Sequence, residues 1–240
     1  MAHAIFFPQP VAYAEGLRIQ LLLHEARRQE RIPDTVLFLQ HRPVITLGRR
    51  GRTNHLLADQ TRLQSLGIDL FESSRGGDVT YHGPGQVVMY PIMRLGVHGT
   101  DAHGHLHNLE EIAIRTCVSY GVEAWRRKGK SGAWTSAGKI AAIGFKIQRW
   151  VTLHGMSFNV EEGLDGFNLI VPCGLAGEPV ASLSKMIGDK TPPLDVVAQV
   201  MADHFEAVCG RRLERHSNLH LPDSLSFVNE NVLPMSSGRE

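Results

Sequence analysis

Apolar residues recur with a helical period in three stretches of the chain. Over residues 12–29, Tyr13, Leu17, Leu21 and His24 fall on one stripe and predict a first helix. Asn108 is the expected cap of a second, with Glu110 and Glu111 at the positive end of its dipole. Its stripe is Leu109, Ile112, Ala113, Thr116, Cys117 and Tyr120. A third opens at Thr191 with Pro192 in its first position, buries Leu194, Val197, Met201, Phe205 and Val208, and stops at Gly210. A short helix is expected around 55–65. Strand-like runs lie at Thr35–Gln40, Val44–Leu47 and Gln86–Met93. Lys139–Ile147 and Val151–Val160 read as the two arms of a hairpin. Helices and strands do not alternate, so the order predicts an α+β sheet with helices packed on it.

Composition narrows the classes. The 240 residues carry 25 Lys plus Arg against 24 Asp plus Glu, which excludes a generally basic nucleic-acid binder and an acidic tail protein. The length favours a single domain over 1–240, with a tail from 214 to 240. Three cysteines, with no Cys-x-x-Cys pair, cannot make a disulfide framework. With no signal-peptide pattern at Met1–Pro10 and no apolar run near the ~20 residues of a membrane span, the expected location is cytoplasmic.

Three short segments carry candidate chemistry. In Arg75-Gly76-Gly77-Asp78-Val79-Thr80-Tyr81-His82-Gly83-Pro84-Gly85-Gln86, glycines let backbone approach a ligand while Arg, Asp, Thr, Tyr and His supply polar groups. It reads as a shaped loop and matches neither a phosphate-binding GxxxxGK[ST] nor a dinucleotide GxGxxG. In Gly138-Lys139-Ile140-Ala141-Ala142-Ile143-Gly144, a lysine enters a small-residue strand; either its stem packs while its head reaches water, or burial makes it a base. Cys117 and Cys209 fall on helix patterns, whereas Cys173 lies in a turn, Pro172-Cys173-Gly174. A thiol there becomes a nucleophile if a cation such as Lys139 stabilises its thiolate. His98, His103, His105 and His107 with Asp101 fit a surface loop before a helix better than a metal site.

Taken together, these segments resemble the octanoyltransferase family of lipoate biosynthesis, also called lipoyl(octanoyl) transferase or lipoate-protein ligase B. The loop RGGDVTYHGPGQ followed by VVMYPI is the family's signature, and GKIAAIG, HGMSFNV and PCGL follow in family order across about 40–210. The resemblance implies the biotin/lipoate protein ligase fold, a mixed and mainly antiparallel sheet flanked by helices. It also implies a reaction: octanoyl passes from octanoyl-acyl carrier protein, through a thioester on Cys173, to a lysine ε-amine. The implied acceptors are lipoyl domains of 2-oxoacid dehydrogenases and glycine cleavage H protein. By the same resemblance Lys139 lowers the thiol's pKa. Arg75, Gly76, Gly77, Asp78, Val79, Thr80, Tyr81 and His82 bind substrate, with Ala142, Ile143 and Gly144 and with Gly155, Met156 and Ser157. Ala142 stands where relatives often carry serine, and Pro179–Leu183 is a stretch that varies among them.

No metal, cofactor, nucleic acid or membrane partner is implied, and thioester-to-amide transfer needs no ATP. The amide of Gly174, with donors from His82, is the expected oxyanion site. Basic clusters at Arg49, Arg50 and Arg52 and at Arg126, Arg127, Lys128 and Lys130 are expected to dock the acidic carrier protein. The alternatives are an ATP-dependent lipoate or biotin ligase of the same fold, or a non-catalytic lipoyl-domain binder.

Overall fold

The computed structural model describes residues 1–51, 53–96, 100–161, 163–171 and 178–230. Among the described residues, eleven strands and six α-helices follow the order β1 (Ala2–Phe6), α1 (Tyr13–Arg28), β2 (Thr35–Leu39), β3 (Val44–Leu47), α2 (Gln60–Ser65), β4 (Asp69–Glu72), β5 (Val79–His82), β6 (Gln86–Ile92), α3 (Ala102–Ser119), β7 (Trp125–Arg127), β8 (Lys130–Thr135), β9 (Gly138–Gln148), β10 (Val151–Asn159), α4 (Leu183–Ile187), α5 (Leu194–Cys209), β11 (Leu213–Ser217) and α6 (Ser226–Glu230). Eight strands form one mixed sheet in the order β11-β1-β2-β6-β10-β9-β8-β7, and β4-β3-β5 form a second. β11, β1 and β2 run parallel to one another, and the remaining pairs of the large sheet are antiparallel. No described helix is long and apolar enough to cross a membrane.

The period-2 alternation of the central strands explains two apolar layers. Val36, Phe38, Val87 and Met89 face one side, where they pack with Ile112, Cys117, Met201 and Phe205 of α3 and α5. Leu37, Leu39, Val88 and Tyr90 face the other, against Ile19 and Leu23 of α1 and Leu225 and Val228. Covered on both sides, β2 and β6 read as continuous apolar runs. Ile45, Leu63, Val79, Tyr81 and Ile170 make a smaller third core under the second sheet.

Helix boundaries differ from the sequence expectation where a second capping residue competes. α3 starts at Ala102, not at Asn108, because the Asp101 carboxylate accepts the Gly104 amide at 2.8 Å. His103, His105 and His107 therefore ride on the helix rather than on a loop, and His105 is buried edge-on against Phe145. His98 lies outside the described residues. α5 begins at Leu194, since Gly188–Lys190 form a 3-10 turn whose Gly188 carbonyl accepts from the Thr191 hydroxyl at 2.6 Å. Its end at Gly210, in the left-handed region, is as expected. The helix expected at 55–65 is confined to Gln60–Ser65, capped by Asp59. On α1 the buried face is Tyr13, Gly16, Ile19, Gln20, Leu23 and His24; Leu21 is half exposed, so the expected stripe was rotated.

β9 and β10 form the expected hairpin, joined at Arg149-Trp150 with both residues at positive φ (51° and 64°). The β6–β10 ladder runs from Asn159↔Gln86 to Met156↔Met89 and ends near Pro91, which has no amide hydrogen to give. The Thr152 hydroxyl bridges the break, donating to the Pro91 carbonyl at 2.5 Å and accepting the Met93 amide at 2.9 Å. At this break His154 takes φ 61°, and a side chain on Gly155 would strike the Met89 carbonyl and the Pro91 ring. A cavity lies beside this break, lined by His154 and Gly155 among others.

Candidate active site

That cavity, about 380 Å³, lies between the two sheets. One wall comes from the glycine-rich segment. Its ends are loop, but its middle is not: Val79–His82 form β5, paired with β3 in the register Val79↔Leu47 to His82↔Val44, and Gly83–Gly85 turn into β6. Alternation along β5 sends Thr80 and His82 to the cavity and Val79 and Tyr81 into the third core. Arg75, Gly77 and Asp78 line the same wall, whereas Gly76 does not and instead donates its amide to the Phe145 carbonyl at 3.0 Å. Of the second expected set, Ala142, Ile143, Gly144, Gly155, Met156 and Ser157 all line the cavity, opposite, on β9 and β10.

The first wall is a buried polar lattice. The Arg75 guanidinium donates to the Thr46 hydroxyl from Nε at 3.0 Å and from Nη2 at 2.8 Å. It also reaches the Thr46 carbonyl at 2.7 Å. His55 and Asp78 pair at 2.6 Å. His41 donates from Nδ1 to the Val11 carbonyl at 3.0 Å, which leaves its Nε2 to accept the Tyr90 hydroxyl at 2.8 Å. Burial pushes His41 down to about 4 and holds Tyr90 well above its usual range. His154 is likewise pushed down to about 4, by burial first and then by Arg75, Lys146 and His41. Burial, reinforced by His41 and Arg75, holds His82 well below 6.5. At neutral pH His41 and His82 on this side and His154 across the cavity are therefore neutral imidazoles near one fixed guanidinium.

The tautomer of His82 follows from its partners. Asn159 Nδ2 donates to the Ala181 carbonyl at 2.9 Å, and Gln86 Nε2 donates to Asn159 Oδ1 at 3.0 Å. Gln86 Oε1 is then the acceptor facing His82 Nδ1 at 3.2 Å, so Nδ1 carries the hydrogen and Nε2 the lone pair. His82 Nε2 is an acceptor, contrary to the expected oxyanion-donor role. Sequence reasoning missed His154, whose Nδ1 is buried at the cavity without a partner among the described residues. It also missed Tyr90, His55 and Ser131 on the lining. Only the spacing of His154 directly before Gly155 hinted at it.

The other rim is cationic and partly open. Lys139, the second residue of β9, holds its ammonium 5.3 Å from the Trp134 ring centroid, and Lys130 lies 5.8 Å from the same ring. Arg127 stacks on that ring at 4.4 Å. Gly132 makes room: at φ 113°, an added Cβ would sit 2.2 Å from the Ala141 carbonyl and 2.7 Å from Lys139 Cε. Cys173 and Gly174 lie outside the described residues. The described residues on either side are tied to cavity-lining residues. The Val171 amide donates to the His55 carbonyl at 2.8 Å. Glu178 pairs with Arg127 and Lys130, and Lys139 exchanges backbone hydrogen bonds with Pro179 and Ala181 at 2.9 Å each. The other cysteines sit in the core among α3 and α5, where burial pushes both thiols up to about 12.

The expected basic clusters are largely consumed locally. Arg126 pairs with Glu110 and Glu111, and Arg127 and Lys130 share Glu178. Arg49, Arg50 and Lys128 remain exposed, and Arg50 borders the cavity; Arg52 lies outside the described residues.

Three comparisons bear on this site. A family model described as the lipoyl protein ligase A/B catalytic domain matches residues 12–206. The chain is 43% identical over 210 residues to the octanoyltransferase of Caldicellulosiruptor saccharolyticus, spanning 87% of this chain and 89% of that protein. It is 44% identical over 205 residues to the octanoyltransferase of Caldicellulosiruptor bescii, spanning 85% and 90%. Among solved structures, lipoate-protein ligase A bound with ATP superposes with a TM-score of 0.72 at 12% identity, covering 96% of this chain and 94% of that one. A bipartite lipoate protein ligase from Thermoplasma acidophilum gives 0.71 at 14%, covering 97% and 92%. At such identities the likeness is one of fold.

Proposed function

The chain belongs to the octanoyltransferases of the lipoyl protein ligase A/B catalytic-domain family, and on that premise we propose how its residues divide the transfer of octanoyl in lipoate biosynthesis. Octanoyl arrives as a thioester of acyl carrier protein. The Cys173 thiolate, held by the Lys139 ammonium, attacks the carbonyl; the carrier's thiolate leaves and takes a proton from Lys139. The Cys173 thioester then meets the ε-amine of a lipoyl-domain or H-protein lysine. The amine attacks, neutral Lys139 accepts its proton, and the Cys173 thiolate departs. The second half-reaction restores the thiolate–ammonium pair that the first consumed, and the change from thioester to amide drives it.

The observation that carries this reading is the strapping of Lys139. Its backbone is hydrogen-bonded to Pro179 and Ala181, just beyond the Cys173 segment, while its ammonium lies at the rim of the cavity. The cavity's size lies at the small-ligand end of the usual range. Arg75, Gly77, Asp78, Thr80 and His82 form one face of the acyl site, and Ala142, Ile143, Gly144, Gly155, Met156 and Ser157 the other. Gly76, Val79 and Tyr81 support these walls from behind. Neutral His154, whose Nδ1 has no partner among the described residues, and His82, as an acceptor, orient a ligand's polar end rather than shuttle protons.

Intact mass measurement after mixing with octanoyl-acyl carrier protein, with and without ATP, tests the proposal. One octanoyl adduct without ATP is expected, lost in Cys173→Ser and kept in Cys117→Ser. An adduct that survives Cys173→Ser, or that requires ATP, contradicts it.

A further inference from the structure

At the far edge of the large sheet, three side chains from two parallel strands converge. β11 and β1 pair in the register His3↔Glu214 and Ile5↔His216, so His3, Glu214 and His216 project from the same face. His3 Nδ1 and His216 Nε2 are 3.0 Å apart, with ring planes tilted by 56°. The Glu214 carboxylate reaches both, at 3.6 Å from His3 Nδ1 and 3.8 Å from His216 Nε2. All three donor atoms lie within 4.8 Å of one another, His3 being buried and His216 half-buried. A shallow surface cavity opens on Glu214 and His216, and His220 stands on its wall.

We propose that His3 Nδ1, His216 Nε2 and a Glu214 oxygen form a binding site for a borderline divalent cation, zinc or a metal of similar preference. The argument is one of lone pairs. Two ring nitrogens at 3.0 Å share at most one hydrogen, and the carboxylate is too far from either to accept it well. Three electron-pair donors thus face a common point with one proton between them. Ligands around a tetrahedral zinc at ~2.0–2.2 Å sit roughly 3.3–3.5 Å apart, close to the spacings found here. Two imidazoles and one carboxylate suit zinc rather than calcium or magnesium, and the cavity leaves a fourth position for water or His220. The site lies on β11 and β1, two strands removed from the β6 and β10 that line the acyl cavity. Its effect is therefore structural: a clip joining the edge strand, and the segment after it, to the body of the sheet.

Untagged full-length protein titrated with zinc chloride, followed by calorimetry and by the visible bands of cobalt substituted for zinc, decides the matter. One equivalent should bind at micromolar affinity or better, with calcium and magnesium inert. Affinity should fall by about tenfold or more in His216→Ala and in Glu214→Gln, and stay unchanged in Cys173→Ser. Zinc should also slow amide exchange in β11 of the parent and not of His216→Ala, and octanoyl transfer should be the same in both. No stoichiometric binding, or binding that persists in both Glu214→Gln and His216→Ala, overturns the proposal and leaves a hydrogen-bonded histidine pair. Since Glu214 is exposed, Glu214→Gln keeps the test valid even if a histidine variant misfolds.

Discussion

The two walls of the acyl cavity are built on opposite principles. The β5 wall is buried, cross-linked by side-chain hydrogen bonds, and carries neutral imidazoles around Arg75, whose guanidinium is committed to Thr46. The β8–β9 rim is cationic, partly open, and held mainly by backbone pairing to residues 179–181 and by ion pairs to Glu178. A rigid wall whose charged groups are already hydrogen-bonded within the protein fixes where a ligand lies and limits the desolvation cost as an apolar chain enters. A charged rim keeps an ammonium able to give and regain a proton. In one cavity, recognition and reactivity are thus assigned to separate strands.

Substitutions at the rim should break this contrast most severely. Lys139→Ala is expected to slow octanoyl uptake by ~10²–10⁴-fold with little change in melting temperature, and to raise the pH at which Cys173 alkylates. An unchanged alkylation profile would separate Lys139 from the thiol. Gly132→Ala forces a Cβ onto the Ala141 carbonyl at a positive φ and should cost about 1–3 kcal/mol in denaturant unfolding, more if the strand cannot shift. On the recognition wall, Thr46→Val removes the hydroxyl that accepts from Arg75 and should cost about 1–3 kcal/mol, with a raised KM and a nearly preserved kcat. If kcat collapses instead, the two walls are not separable.

The histidines supply a pH signature. His41 and His154 bind protons more weakly folded, at about 4, than unfolded, near 6.5. The unfolded chain therefore takes up more protons between these values. Their contribution is full above about pH 6.5 and is lost as pH falls towards 4, with each adding up to ~1.4 kcal/mol per pH unit to the slope. Urea melts at pH 7 and pH 5 should show the loss, and His154→Gln should flatten it. The smallest effect is expected at the surface. Lys128→Ala or Arg49→Ala should raise the KM for acyl carrier protein by a few-fold at low salt, and the difference should vanish as salt screens it.

Much of the architecture was legible in local pattern. The hairpin of β9 and β10, the ends of α1 and the stop at Gly210 follow from period and from end-capping chemistry. The start of α3 was misjudged because Asp101 and Asn108 are equally good caps and only packing chooses between them. β1, β4, β5, β7, β8 and β11 were not foreseen, since short strands acquire their pattern from the neighbours they pair with. The glycine-rich segment named the site, but the alternation of β5 decided that Thr80 and His82 face the ligand while Val79 and Tyr81 support the core.

By itself, then, the sequence determined the α+β class, the family through its motifs, and which residue types were available for chemistry, because these depend on local composition and spacing. Only the tertiary structure decided protonation and direction. It made three histidines neutral, set the tautomer of His82 through Gln86 and Asn159, turned His154 into the cavity at the Pro91 break, and brought His3 beside His216. Each of these is fixed by burial or by contacts between residues far apart in the chain, which no local pattern encodes.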